Sequence, residues 1–208
     1  MNCSRLQIRR AIDVLKFLAS CFKKEELNHF NRRDEMSSIT IRQISITESD
    51  TDAVVNAANS GLWQGGGVCG FIFRAAGAEQ MTEACEKIGH CDVGSAVITP
   101  GFNLRAGYVI HAVGPRWTGG GSNEQALLYS AYQSALRLAR ENNLSSIAFP
   151  LISAGIFGYP LEQAWQVAVR ACRDFISVNA DFCIDIVFAV LDDYIKAAGE
   201  KILNDSAG

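Results

Sequence analysis

Two short stretches concentrate glycine and small residues, and each stands just after an apolar run. Asn56-Ala57-Ala58-Asn59-Ser60 leads to Gly65-Gly66-Gly67-Val68, and Ser153-Ala154-Gly155-Ile156-Phe157-Gly158-Tyr159-Pro160 follows Phe149-Pro150. Consecutive glycines ahead of a helix let main-chain N–H groups converge on an anion, and the helix N-terminus adds a partial positive charge. Two such loops suit two phosphates, as in a diphosphate, although glycine-rich loops also serve as plain tight turns. The first stretch is no Walker loop, because no Gly-Lys-Ser/Thr follows. It also lacks the GxGxxG spacing of dinucleotide-binding turns. Asn56 and Asn59 offer carboxamides that donate and accept, which suits sugar hydroxyls. The alternative is that they close the turn by bonding backbone. Cys69 falls at the start of an expected helix, which makes it a candidate nucleophile.

The elements that must position these loops follow from the pattern of apolar residues. Strands are expected at Ile39–Ile46, Ala53–Asn56, Ser95–Thr99, Tyr108–Val113, Ser146–Phe149 and Ile184–Val190, runs rich in Val, Ile and Phe. Helices are expected at Val68–Ala76, Glu79–Ile88, Glu124–Asn142, Leu161–Asn179 and Asp193–Leu203, with Asn123 as an N-cap. Alternation of the two predicts an α/β layered domain with a largely parallel sheet, whose ligands bind beyond the carboxyl ends of the strands. His111 lies inside an apolar strand and reads as a core histidine rather than a base. Trp63, between Asn59 and the glycines, is placed to shield the pocket. Arg116, Arg137 and Arg140 read as solvated charges.

Composition narrows the function classes. The chain has 208 residues, 49% hydrophobic and 20% charged, with a net charge of −3. That suits one domain with a short extension and argues against a disordered or coiled-coil chain. Residues 1–37 are basic, at +3, and the remainder is acidic, at −6. No basic patch interleaved with aromatics points to nucleic acid, and no run is long and apolar enough for a membrane span. Leu6, Ile8, Ile12, Leu15, Phe17, Leu18, Cys21 and Phe22 recur at mostly helical spacing, so residues 1–37 form an expected basic amphipathic helical extension. It either packs on the body of the domain or binds a partner or membrane surface. Asp13 and Lys16 break the resemblance to a signal peptide. Residues 31–38 are linker-like, and Met36 is a candidate start codon. The seven cysteines are odd in number and irregularly spaced. They read as reduced thiols of a cytoplasmic protein, and Cys85, His90 and Cys91 lack the spacing of a metal site.

Asp52-Ala53-Val54-Val55-Asn56-Ala57-Ala58-Asn59-Ser60, the glycine run to Val68, Tyr108-Val109-Ile110-His111-Ala112-Val113-Gly114-Pro115 and Phe149 through Pro160 together resemble the signature of macrodomains. The likeness covers roughly residues 39–204 in order. It implies a three-layer α/β/α fold with a central mixed, mostly parallel sheet over residues 38–208. It also implies an ADP-ribose pocket that needs no cofactor or metal. The subgroup it most resembles removes single ADP-ribose units from proteins and deacetylates O-acetyl-ADP-ribose. By that resemblance Asn59 binds the distal ribose near the scissile bond, with Asn56 beside it. Gly65, Gly66, Gly67 and Val68 hold one phosphate and that ribose. Ser153, Ala154, Gly155, Ile156 and Phe157 hold the diphosphate from the other side, and Phe157 covers the sugar. Asn59, Gly67 and Phe157 are the implied catalytic positions.

The sequence departs from the family pattern where Cys69 replaces a water-orienting Asp and Phe73 replaces a His. Ser45, beside Ile46, replaces an adenine-reading Asp, and Leu191 replaces an aromatic that stacks on adenine. The implied mechanism is substrate-assisted: water held by a substrate phosphate attacks the anomeric carbon, and the protein supplies positioning and backbone dipoles. The competing readings are a non-catalytic ADP-ribose reader and an ADP-ribose 1″-phosphate phosphatase. Expected partners are thus ADP-ribose or an ADP-ribosylated protein, with neither nucleic acid nor membrane.

Overall fold

A computed structural model describes residues 36–205 of the chain. The expected N-terminal helix therefore lies outside the described residues. Strands β1 (Ser38–Gln43), β2 (Ala53–Ala57), β3 (Ala96–Pro100), β4 (Tyr108–Ala112), β5 (Ser146–Phe149) and β6 (Asp185–Val190) form one sheet in the order β1-β6-β5-β2-β4-β3. All neighbours pair in parallel except β3, which runs antiparallel to β4 at the edge. The helices are α1 (Gly67–Ala76), α2 (Ala78–Ile88), α3 (Glu124–Glu141), α4 (Leu161–Val178) and α5 (Asp193–Asp205). Among the described residues, no helix is long and apolar enough to cross a membrane.

The sheet is covered on both faces, which is why its central strands read as unbroken apolar runs. Val55, Ile110, Phe149 and Phe188 pack with Leu128, Tyr132, Trp165 and Ala168 of α3 and α4. Val54, Val109, Ala148 and Val187 face Ile72, Phe73 and Met81 of α1 and α2. Two cores separated by one sheet make the three layers, helices on sheet on helices. Rings of Tyr132, Phe149, Phe188 and Trp165 run through the first core at centroid spacings of 5.0–5.9 Å. Buried among them, the Tyr132 hydroxyl accepts a hydrogen bond from Ile152 N at 3.0 Å, tying the start of the β5–α4 loop to the core.

Helix α5 approaches so closely that a Cβ on Gly199 would lie 2.6 Å from the Trp165 ring and 2.8 Å from Ile41 Cδ1. Overpacking of this kind costs about 1–3 kcal/mol, more than alanine gains in helix propensity. Gly199→Ala is therefore expected to lower the urea midpoint without changing ligand affinity.

Two local expectations are corrected. The first strand ends at Gln43, and Ile46 opens a 3₁₀ turn over Ile46–Glu48 closed by Glu48 N to Ser45 O at 2.9 Å. Ile46 is apolar because it plugs the α1–α2 core from that turn, not because the strand continues. Asn123 occupies the N-cap position of α3 at φ 62° but makes no side-chain cap. Glu124 instead folds its carboxylate over the preceding loop. It accepts from the Thr118 hydroxyl and from the backbone N–H groups of Thr118, Gly120 and Ser122 at 2.6–3.1 Å. These bonds, led by that of Thr118, hold its pKa down at about 2.

Candidate functional site

Because β1, β6, β5, β2 and β4 run parallel, the loops that follow them emerge along one edge of the sheet. The two glycine-rich loops are neighbours there and touch. A Cβ on Gly66 would lie 3.2 Å from Ile156 Cδ1, and one on Gly67, at φ +58°, would lie 3.5 Å from it. Gly66 caps α1 with no side chain, and the first turn of that helix has no acidic residue. Among the described residues, the N–H groups of Gly66, Gly67 and Val68 meet no acceptor, and neither do those of Gly155, Ile156 and Phe157. Unpaired main-chain donors on two facing loops form a cradle for an anion.

Both loops store strain. Leu62 at φ 60° and Ser153 at φ 66° are non-glycine residues in the left-handed region, at a cost of order 1–3 kcal/mol each. Ser153 Oγ and Asn56 Oδ1 are also buried without a hydrogen-bond partner. Such exceptions concentrate where function holds a backbone in place.

Asn59 closes its own loop: Nδ2 donates to Trp63 O at 2.8 Å and Oδ1 accepts from Trp63 N at 3.3 Å. Trp63 is exposed, its ring folded back over Gly61. Asn56 is only 1% exposed and lies under the loop. Register places it opposite His111 on β4, and its Nδ2 donates to His111 Nδ1 at 3.1 Å. The ring proton then sits on Nε2 and is donated to Thr99 Oγ1 at 2.9 Å, and the Thr99 hydroxyl donates onward to Met81 Sδ. Cys69, 4% exposed, joins the same network. Its sulfur accepts from Asn56 Nδ2 at 3.5 Å and from Gly65 N at 3.3 Å, so it braces the glycine loop from below.

His111 is a fully buried neutral imidazole, its pKa lowered by burial to about 4. The unfolded chain takes up this proton below about pH 6.5 while the folded one resists until about pH 4. Stability is therefore expected to fall by on the order of 3 kcal/mol as pH drops across that window. His111→Gln should flatten that slope when urea midpoints at about pH 7 and about pH 4.5 are compared.

At the far end of the edge, Ser45 Oγ lies 2.8 Å from Thr47 Oγ1, Ile46 is buried, and Leu191 is 71% exposed. Phe157 is half-buried, and its carbonyl accepts from Trp117 N at 2.9 Å. Arg74 and Arg116 stack on Phe71 and Phe157. The i, i+3 spacing on α1 could have revealed the first pair, whereas the second joins residues far apart in sequence. A separate cavity of about 330 Å³ opens at the opposite, amino-terminal edge between Asp50, Asp52, Arg105 and Tyr108. Its charges are consumed locally, Asp52 by Ser145 and Ser146 and Arg105 by Asp50.

Residues 55–168 match the family model described as Macro domain. A macro domain-containing protein of Ralstonia nicotianae is 46% identical over 171 residues, 81% of this chain and 97% of that protein. A protein of Escherichia fergusonii named O-acetyl-ADP-ribose deacetylase is 49% identical over 148 residues, 69% of this chain and 83% of that protein. Among solved structures, the Oceanobacillus iheyensis macrodomain with ADP aligns at a TM-score of 0.76 and 33% identity, over 80% of this chain and 90% of that one.

Proposed function

Since the chain belongs to the macrodomain family, we propose that it binds ADP-ribose across the two glycine-rich loops and hydrolyses esters of its distal ribose. The substrates are O-acetyl-ADP-ribose and mono-ADP-ribosyl groups on protein carboxylates. The observation that carries this reading is the pair of touching loops whose six N–H groups lack acceptors. A relative at about half identity named for the deacetylase reaction supports the choice of chemistry.

Neither loop contains a carboxylate, from Ala58 to Gly67 or from Pro150 to Pro160. No acid–base pair stands ready, so the attacking water is oriented by a substrate phosphate. For an ester on the anomeric oxygen, the bond from the anomeric carbon to the acyl oxygen breaks as the water's oxygen bonds to that carbon. The carboxylate leaves with the bonding pair, and the water's proton passes to the phosphate oxygen. The transition state carries oxocarbenium character. For an acetyl on another ribose hydroxyl the same water instead attacks the acyl carbon and the ribose oxygen leaves. The chain contributes a fixed diphosphate, a distal ribose held by the loop that Asn59 closes, and cover from Phe157 that limits bulk water. Cys69 is read as a brace rather than a nucleophile: Cys69→Ala should keep most turnover, losing only what the loosened glycine loop costs, whereas a nucleophile's loss would abolish it.

The reaction is tested by incubating the protein with O-acetyl-ADP-ribose and following acetate release, with ADP-ribose affinity measured calorimetrically. Release with saturation kinetics supports the hydrolase. Tight binding without release would identify a reader of ADP-ribose, the reading favoured by the absence of carboxylates from the loops. Phosphate release from ADP-ribose 1″-phosphate, with no acetate released from O-acetyl-ADP-ribose, would assign a phosphatase instead.

A further inference from the structure

Charge is distributed unevenly around the cleft. Between Ala53 and Ala78 the only charged residue is Arg74, and between Val109 and Asn123 it is Arg116. The β5–α4 loop has none. This cationic rim belongs to a body, residues 38–208, whose net charge is −6. Of the carboxylates on this edge, Glu124 is buried and bonded to residues 118–122, Glu162 stands in the first turn of α4, and Asp192 and Asp193 follow β6, two strands from β2 across the sheet.

Both arginines are exposed, and neither has a carboxylate partner among the described residues. Aromatic rings hold both in place. Arg74 Cζ lies 4.7 Å from the Phe71 ring centroid, and Arg116 Cζ lies 4.9 Å from that of Phe157. Stacking fixes the plane of a guanidinium and leaves its N–H edge for planar acceptors such as carboxylates. Each also adjoins a glycine-rich loop. The point where a Gly70 Cβ would sit is 2.7 Å from Gly65 O and 3.1 Å from Arg74 Nη1. Arg116 reaches the β5–α4 loop through Phe157, and its neighbour Trp117 bonds the Phe157 carbonyl.

From this we infer that Arg74 and Arg116 clamp an acidic segment of the protein substrate, the stretch flanking the carboxylate that bears ADP-ribose. The inference rests on the proposed site, in which the Asn59–Gly67 loop holds the distal ribose and Phe157 covers it, because Arg74 adjoins that loop and Arg116 adjoins Phe157. O-acetyl-ADP-ribose has no such segment and is indifferent to the clamp.

The test measures fluorescence anisotropy of a labelled, unmodified glutamate-rich peptide and of its glutamine counterpart. Two exposed charge pairs predict about tenfold tighter binding of the glutamate peptide. The double variant Arg74→Gln/Arg116→Gln should lose this preference, and Arg74→Lys/Arg116→Lys should keep most of it. On a peptide carrying the ester, the glutamine variant should raise KM about tenfold with kcat unchanged. Its ADP-ribose affinity and O-acetyl-ADP-ribose turnover should change far less than its KM on the peptide ester. A wild type that does not prefer the glutamate peptide would overturn the clamp. So would a preference that survives in the glutamine variant, or equal losses on every substrate. If the wild type fails to bind ADP-ribose, the proposed function falls, while the peptide measurements still decide the clamp.

Discussion

Asn59→Ala is expected to lower kcat/KM for O-acetyl-ADP-ribose by about 100-fold or more, with a smaller loss of ADP-ribose affinity. The carboxamide makes two hydrogen bonds that pin Trp63 to the end of β2, one through each of its polar atoms, and the one other bond to Trp63 O, from Cys69 Sγ at 3.8 Å, is long and weak. Alanine removes them together and frees the segment that leads into Gly65, Gly66 and Gly67. Displacement of a reacting group by about 1 Å is enough to cost on the order of 100-fold in rate. The diphosphate donors on the β5–α4 loop are untouched, so binding suffers less than turnover. Asn59→Asp keeps the acceptor for Trp63 N but loses the donor to Trp63 O, and it brings a negative charge toward the phosphates. It should be almost as damaging. Steady-state kinetics checks both variants, and an Asn59→Ala enzyme of normal kcat would show that neither the loop closure nor the carboxamide matters to the reaction.

Gly114→Ala should have the largest effect on binding. A Cβ there would lie 2.2 Å from Ser153 Oγ and 2.5 Å from Ile152 Cγ2. Ile152 is 1% exposed and tethered through its N–H to Tyr132, so it has little room to yield. Ser153 is already in the left-handed region. The strain of about 1–3 kcal/mol typical of overpacking therefore falls on the loop that presents Gly155, Ile156 and Phe157. ADP-ribose affinity is expected to drop by about tenfold or more. Calorimetric titration measures the loss, and circular dichroism shows whether the fold persists. An unchanged Kd would mean that the β5–α4 loop does not grip the ligand.

Much of the fold is legible in the sequence because the central strands are buried on both faces. Val54-Val55 and Ile186 through Val190 admit little but strand, and the helical spacing of α3 and α4 admits little but helix. What escapes the sequence depends on contacts between distant segments. Ile46 fits the continuation of a strand as well as the plug of a turn. Asn123 is a sound cap by type, yet Glu124 takes the loop's N–H groups because residues 118–122 fold back over it. The candidate site is legible as composition, two glycine-rich loops after strands, but not as wiring. Asn56 meets His111 through strand register, and Thr99 joins them from an antiparallel edge strand. The Arg116–Phe157 stack spans two loops and leaves no local trace in the sequence.

Main-chain amides of two touching loops holding one diphosphate are the foundation of the proposed function. Titration of ¹⁵N-labelled protein with ADP-ribose, followed residue by residue, tests this most directly. The amides of Gly66, Gly67 and Val68 and those of Gly155, Ile156 and Phe157 are predicted to shift together, more than any others, and to saturate at one equivalent. Saturable shifts confined to the opposite edge around Asp50, Arg105 and Tyr108, or none at all, would contradict it.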